Sequence, residues 1–139
     1  MNEIYRVLAA GGVFRLSVPD YRCTALKSRS VYDWRGKVIA DTMMGAKVGY
    51  NAKSGTTNVE LSKDGNAQLW FPTYEAVLDL IVRSEIRKCK EITFYQYYRD
   101  DDNYVCDEVP DKELFVTRSH PHDPRSAGKP ISIIVDFTK

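Results

Sequence analysis

Apolar and polar residues follow two different periods along the chain, and these periods predict its helices and strands. Near the N-terminus, apolar residues recur at helical spacing and predict a helix over residues 2–9, with Asn2 as N-cap and a stop at Gly11. A second stripe of helical spacing begins at Tyr74 and runs to about residue 84. Thr73 precedes it and is the predicted N-cap.

Three further runs have the composition or the period-two alternation of half-buried strands. They cover residues 13–18, 92–98 and 131–137. Pro19 ends the first run because proline cannot donate to a strand ladder. The last run places apolar side chains along one continuous face, formed by Ile131, Ile133, Val135 and Phe137.

The stretches between these elements show weaker signals. Residues 21–70 carry no sustained period, although a short helix near residues 21–28 is predicted. Scattered glycines and turn dipeptides predict an irregular loop region at about 45–67. A polar excursion covers about 99–130, and residues 114–116 are a candidate short strand within it.

This order of elements predicts an α/β fold for the 139 residues. The chain has the length of one domain, residues 1–139, which we expect to be built on a small mixed sheet with a tendency to three layers. No crossover helix is predicted between the last two strands, so they can pair antiparallel.

Composition narrows the functional classes. Twenty basic and 19 acidic residues leave a net charge of +1, which gives no general attraction to nucleic acid or to an anionic membrane. No apolar run approaches the ~20 residues of a membrane span. Three cysteines, Cys23, Cys89 and Cys106, are widely spaced and lack a CxxC motif. This pattern favours free thiols in a reducing, cytoplasmic environment.

The segment Glu3–Asp20 carries a more specific pattern. It reads Glu-Ile-Tyr-Arg-Val-Leu-Ala-Ala-Gly-Gly, followed by a strand that ends in Ser-Val-Pro-Asp. The segment resembles the helix, turn and fifth strand of the class I S-adenosylmethionine-dependent methyltransferases. Residues 70–75 are similar to the start of that family's next helix. Residues 123–125 and 130–139 look like its closing hairpin strand.

The resemblance implies the C-terminal half of a Rossmann-like methyltransferase domain, with the last strand between the first and the middle one and antiparallel to both. The family binds S-adenosylmethionine through a Gly-rich loop and an acidic residue, which both lie upstream of the similar segments. Gly11-Gly12 is a turn, because no strand precedes it and no helix follows. The resemblance therefore implies a truncated or split methyltransferase-like chain that binds no cofactor alone. The alternative is a non-enzymatic binding or dimeric assembly module that keeps only the fold, so enzymatic activity stays open.

Pro19, Asp20, Tyr21 and Arg22 follow the carboxyl end of the first strand, the edge where open α/β sheets bind ligands. By resemblance, this loop borders a substrate pocket. The alternative interpretation is a Pro-Asp turn in which Asp20 is the N-cap of a short helix. No catalytic residue is identified.

Two polar clusters suggest metal sites, but each is better explained by a turn. His120-Pro121-His122-Asp123 offers two imidazoles and a carboxylate, although these are the chain's two histidines and no further pair completes a zinc site. Asp100, Asp101 and Asp102 lack the glycine and terminal glutamate of an EF-hand loop. We therefore expect no metal site.

Two other features suggest a reactive thiol and a nucleic-acid site. Cys89 lies between two lysines, which can lower a thiol pKa, but no base can be placed beside it. Four tyrosines lie near four basic residues, as in some single-stranded nucleic-acid sites: Tyr95, Tyr97, Tyr98 and Tyr104 with Arg87, Lys88, Lys90 and Arg99. The spacing of these tyrosines also fits an ordinary strand with one buried face, and no nucleic-acid partner is expected.

The missing neighbour of the first strand leads to a prediction about partners. An open edge along Phe14–Val18 is a pairing hazard. We expect a second copy to cover it in a two-fold dimer with a continuous sheet, or else an N-terminal half absent from this chain. No membrane partner is expected.

Overall fold

A computed structural model describes residues 1–62, 67–100, 103–110 and 129–139. Within these ranges the chain forms short helices and mainly antiparallel strands. The elements are α1 (Asn2–Val7), β1 (Val13–Pro19), α2 (Thr24–Lys27), β2 (Ser30–Tyr32), β3 (Val38–Asp41), β4 (Ala46–Asn51), β5 (Thr56–Leu61), α3 (Tyr74–Val82), a 3-10 turn (Glu85–Lys88), β6 (Glu91–Tyr98), β7 (Tyr104–Cys106) and β8 (Ser132–Thr138).

The largest sheet has four strands in the order β1-β8-β6-β7. Strand β8 lies between β1 and β6 and is antiparallel to both, as expected for the last strand. β7 also pairs antiparallel with β6. The expectation of a mixed sheet is therefore wrong for the described strands, because β8 separates β1 and β6, which run in the same direction. The fold is α/β with antiparallel sheets and few helices, an arrangement that does not by itself identify a Rossmann-like half-domain.

The glycine pair between α1 and β1 forms the predicted turn. Gly11 has a φ of +75°, a conformation that glycine adopts without strain. Its N–H donates to the Lys139 carbonyl at 2.8 Å, and the Lys139 N–H donates to the Gly12 carbonyl at 3.0 Å. These backbone groups therefore extend the pairing of β1 with β8.

The three predicted helices form as α1, α2 and α3, and the predicted N-cap is present on α3 but not on α1. Thr73 caps α3, and its hydroxyl accepts from the Ala76 N–H at 3.4 Å. Asn2, however, is the first residue of α1 and does not cap it. Its side-chain oxygen accepts instead from the Glu85 N–H at 2.8 Å, which fastens α1 to the 3-10 turn.

One face of the four-stranded sheet packs against the helices in a cluster that we call the helix-side core. Its buried members are apolar: Val77, Ile81, Ile86, Ile133, Val135 and Phe137. The alternating residues of β8 supply half of them, as the period-two pattern predicted. The Phe14 ring stacks on Phe137 with centroids 5.8 Å apart, which joins β1 to the same cluster.

A second cluster, the loop-side core, lies where β1 and β6 end. It contains Tyr21, Cys23, Leu26 and Tyr98.

A buried ion pair also joins β1 to β8, because Arg15 and Asp136 are direct cross-strand partners. The guanidinium donates through two nitrogens to the two carboxylate oxygens, each at 2.6 Å, and the side chains are 2% and 5% exposed.

An irregular loop was expected at about 45–67, but residues 46–61 do not form one. β4 and β5 form a regular hairpin in which Ala46 pairs with Leu61 and Asn51 with Thr56. Gly55, at φ +66°, lies in the turn between them. β2 and β3 form another hairpin. The hydrophobic pattern did not predict the β4–β5 hairpin because its strands are largely exposed. No buried face therefore imposes an alternation of apolar residues.

Several predictions concern residues outside the described ranges. They are the candidate strand 114–116, the cluster His120–Asp123 with Pro124 and Arg125, and Asp101 and Asp102. Within the excursion at 99–130, β7 is a described strand that was not predicted. Across the described residues, no helix has both the length and the apolar character needed to span a membrane.

Candidate functional site

The loop after β1 is fastened to the neighbouring strands by Asp20, which is fully buried. One carboxylate oxygen accepts from the Tyr98 N–H at 2.8 Å, and the other accepts from the Arg22 N–H at 3.0 Å. The Asp20 N–H donates to the Ile131 carbonyl at 2.9 Å. The N-cap of α2 is Cys23, so the interpretation of Asp20 as that cap is wrong. Asp20 shapes the turn before the helix instead.

Burial raises the pKa of the Asp20 carboxyl above its ordinary value. The two backbone N–H donors and the Arg22 charge act in the opposite direction, because they stabilise the ionised form. Desolvation is the largest of these effects. The position therefore suits a structural carboxyl better than a solvent-facing acid.

Tyr21 is held by a second buried carboxylate, that of Asp41. The Tyr21 hydroxyl donates to Asp41 Oδ2 at 2.8 Å, and Arg29 Nε donates to the same oxygen at 2.9 Å. The Met43 N–H donates to Asp41 Oδ1 at 2.9 Å. Burial and the Asp41 carboxylate raise the pKa of the Tyr21 phenol, so this hydroxyl stays protonated. The network fixes the orientation of the Tyr21 ring.

Tyr98 is the exception in this polar region. Its hydroxyl is buried and makes no geometrically acceptable hydrogen bond in the part of the chain that the structure describes. The Cys23 thiol, a weak hydrogen-bonding group, is an electrostatic neighbour. Burial raises the pKa of the Tyr98 phenol, and Cys23 and Asp20 raise it further.

A cavity of about 740 Å³ opens beside the loop, within the ~300–1,000 Å³ that ligand sites usually occupy. Tyr21 and Arg22 line it from the loop, and Lys27 lines it from α2. The β2–β3 hairpin contributes a second wall, and the segment leading into α3 contributes a third. The side chains that distinguish these two walls are Tyr32, Lys37, Trp70 and Phe71.

Charge and aromatic surface meet in this cavity. Arg22, Lys27 and Lys37 are cationic, and none of the described lining residues is acidic. Arg22 also binds Glu75 outside the lining, with 2.8 Å between Nη1 and Oε1. Its Nη1 donates in addition to the Arg99 carbonyl. These contacts hold the guanidinium at the border of the cavity.

The structure thus separates the four residues predicted to border a pocket. Tyr21 and Arg22 line the large cavity, and Asp20 lies buried behind it. Pro19 borders a smaller cavity of about 230 Å³ together with Arg29 and Ile131. Sequence reasoning missed Tyr32, Lys37 and Trp70 as lining residues, since no periodic pattern brings residues 32–37 to residue 70. The exposed aromatic side chains were the available signal.

The described residues give little support to a reactive thiol at Cys89, to a nucleic-acid site or to a metal site. Burial raises the pKa of the Cys89 thiol, and only Lys139 opposes it, so the flanking lysines do not produce a reactive thiolate. Tyr98 is buried and the Tyr97 ring stacks on Tyr74 at 4.2 Å, so both rings are used in packing within the chain. Among the described residues, no three metal-ligating side chains lie together.

The Gly11-Gly12 turn does not fit S-adenosylmethionine, the cofactor that the resemblance implies. Binding would require backbone N–H groups of a glycine-rich loop that approach the ligand. The Gly11 N–H is already bound to the Lys139 carbonyl. A Cβ on Gly12 would lie 3.0 Å from the Ala9 carbonyl oxygen, so this glycine accommodates the chain's own backbone.

Compared with protein-family models, with curated proteins and with solved structures, the chain matches none of them.

Proposed function

We propose that this chain is a small-molecule-binding module, methyltransferase-like in its strand order, that neither binds S-adenosylmethionine nor transfers a methyl group alone. The observation that carries the proposal is the cavity of about 740 Å³ at the carboxyl end of β1, lined by Tyr21 and Arg22. In the methyltransferase-like interpretation, this is the substrate side of the domain. The Rossmann-like half-domain belongs to the same proposal and is supported by the place of β8 between β1 and β6.

The rigidity of the cavity wall supports binding. The Asp20 and Asp41 carboxylates accept five hydrogen bonds from partners on several elements, so the loop that carries Tyr21 is held before any ligand arrives. A wall that is already ordered loses little conformational entropy on binding. The three cysteines are free, which supports a cytoplasmic, reducing location as part of the proposal.

The two tryptophans of the chain provide a direct test. Trp70 lines the cavity, whereas Trp34 is 87% exposed and is not among the lining residues. Trp34→Phe leaves Trp70 as the reporter, and Trp70→Phe leaves Trp34 as the matched control. Titration with adenosine, AMP, phenyl phosphate, indole and benzyl alcohol should change the emission of Trp70 for at least one probe and leave Trp34 unchanged.

If none of the five probes changes the Trp70 emission at millimolar concentration, the binding proposal is wrong. Calorimetry with S-adenosylmethionine tests the second part of the proposal. We expect no heat of binding from the chain alone, and micromolar affinity would overturn this expectation.

An assembly role is the second candidate, favoured by the position of β1. Among the described strands, β1 pairs with β8 on one side and is the edge of the sheet on the other. A second copy, or a separate N-terminal half, would cover Phe14–Val18. Sedimentation equilibrium should then show a dimer of the chain or a complex with that half. A monomer at every concentration would exclude the homodimer.

A further inference from the structure

We infer that the ligand of the large cavity is nucleotide-like, a planar ring that carries a phosphate group. This inference rests on the proposed function and deepens it, because it names the chemical class of the ligand. Two properties of the lining carry it, the cations and the aromatic faces.

The cations converge although the chain as a whole is nearly neutral. Arg22, Lys27 and Lys37 come from the loop after β1, from α2 and from the β2–β3 hairpin, and all three border one cavity. The net charge of the whole chain is only +1, so this concentration of positive charge is local. Guanidinium and ammonium groups bind phosphate oxygens through charge-assisted hydrogen bonds. A divalent anion is therefore a better match to this lining than a neutral ligand.

The aromatic residues provide the surface for a ring. Tyr32 and Trp70 line the cavity and remain about two-fifths exposed, so their rings are accessible to a ligand. Phe71 is oriented by Tyr21, whose ring it meets edge to face with centroids 5.1 Å apart. Stacking on such rings is tolerant of the exact base, since every base has an aromatic face. The lining thus favours a planar heterocycle over a saturated ring.

Glu75 should lower the affinity of the cavity for a phosphorylated ligand, because it is paired with Arg22. The two side chains are bonded at 2.8 Å, with Arg22 26% and Glu75 54% exposed. An incoming phosphate competes with this carboxylate for the guanidinium. Replacing Glu75 by glutamine removes the competing charge, so it should strengthen the binding of a phosphorylated ligand and leave its neutral analogue unaffected.

The experiment uses Trp34→Phe protein and a pair of probes that differ by the phosphate, AMP and adenosine. AMP should bind at least about tenfold more tightly at low salt, and the difference should shrink as ionic strength rises. Lys37→Gln should weaken AMP about fivefold without changing adenosine, since a single exposed charge contributes modestly. Lys53→Gln removes the same charge from an exposed turn outside the lining and should change neither. Glu75→Gln should tighten AMP alone.

Two results would overturn the inference while the proposed function stands. Equal affinity for AMP and adenosine, or binding of the neutral probes only, would show that the cations do not select the ligand. Inorganic phosphate that displaces AMP with equal affinity would show that the ring contributes nothing. If no probe in the panel changes the Trp70 emission, the inference and the proposed function are both wrong. Thermal melts of the exposed Lys37 and Glu75 variants confirm that they remain folded.

Discussion

The helix-side core and the loop-side core are buried to similar extents, but different interactions hold them. The first consists of aliphatic and aromatic side chains such as Ile133, Val135 and Phe137, which are stabilised by removal from water. The second is surrounded by the carboxylates of Asp20 and Asp41, which are stabilised by donors aimed at them. In the first core, the effect of a substitution therefore depends on the side-chain volume that it removes. In the second core, it depends on the hydrogen-bonding groups that the substitution leaves unpaired.

The largest expected effect lies in the helix-side core. Phe137→Ala removes a fully buried ring that stacks on Phe14, and should lower the free energy of unfolding by about 3–5 kcal/mol. Urea denaturation measures the loss. Val82→Ala, at an exposed apolar position of α3, is the control and should change it by less than about 0.5 kcal/mol. A loss below 1 kcal/mol for Phe137→Ala, as a rough threshold, would contradict volume-governed packing there.

The next largest effect is expected from a substitution that breaks the polar network around the loop-side core. Asp41→Ala leaves the Tyr21 hydroxyl, Arg29 and the Met43 N–H without their acceptor, and should lower the unfolding free energy by about 2–3 kcal/mol. The same substitution at Asp79, whose pair with Arg83 is exposed, should cost less than ~1 kcal/mol. Equal losses at the two positions would mean that burial of the network contributes nothing.

Replacing tyrosine by phenylalanine at two positions tests the comparison further, because the free energy of unfolding should change in opposite directions. Tyr98→Phe removes a buried hydroxyl that makes no hydrogen bond among the described residues, and should raise the unfolding free energy by up to about 1 kcal/mol. Tyr21→Phe removes a hydroxyl bonded to Asp41, and should lower it by about 1 kcal/mol. Thermal and urea unfolding of both variants give the signs. A loss for Tyr98→Phe would indicate a partner for its hydroxyl.

The pH dependence of Asp20 gives the smallest effect. Because burial raises its folded-state pKa, the contribution of this carboxyl to stability is complete below pH 3.8, its ordinary pKa. The contribution is lost as the pH rises through the folded-state pKa. NMR titration of the Asp20 carboxyl carbon should give a midpoint above 3.8. A midpoint at or below that value would mean that the backbone donors outweigh desolvation.

The two cores also differ in how well the sequence predicts them. Periods of 3.6 and 2 predicted α3 and the strands β1, β6 and β8, because each of these elements places a row of apolar side chains on one face. The hairpin β4–β5 is largely exposed, and the two buried residues of β3, Ala40 and Asp41, are adjacent in sequence, so neither hairpin shows such a period. Only two residues that line the large cavity were predicted to border a pocket. Tyr21 and Arg22 were placed by the rule for strand ends, whereas Trp70 and Lys37 reach it through irregular backbone that no period describes.

The central place of β8 has a consequence for the growing chain. β8 follows every other described strand in chain order, yet it supplies the shared partner of β1 and β6. A ribosome makes the chain from its N-terminus, so β1 and β6 emerge before the strand that joins them exists. Until then both present unpaired backbone groups to neighbouring nascent chains. The helix-side core is therefore completed only after Ser132–Thr138 has left the exit tunnel.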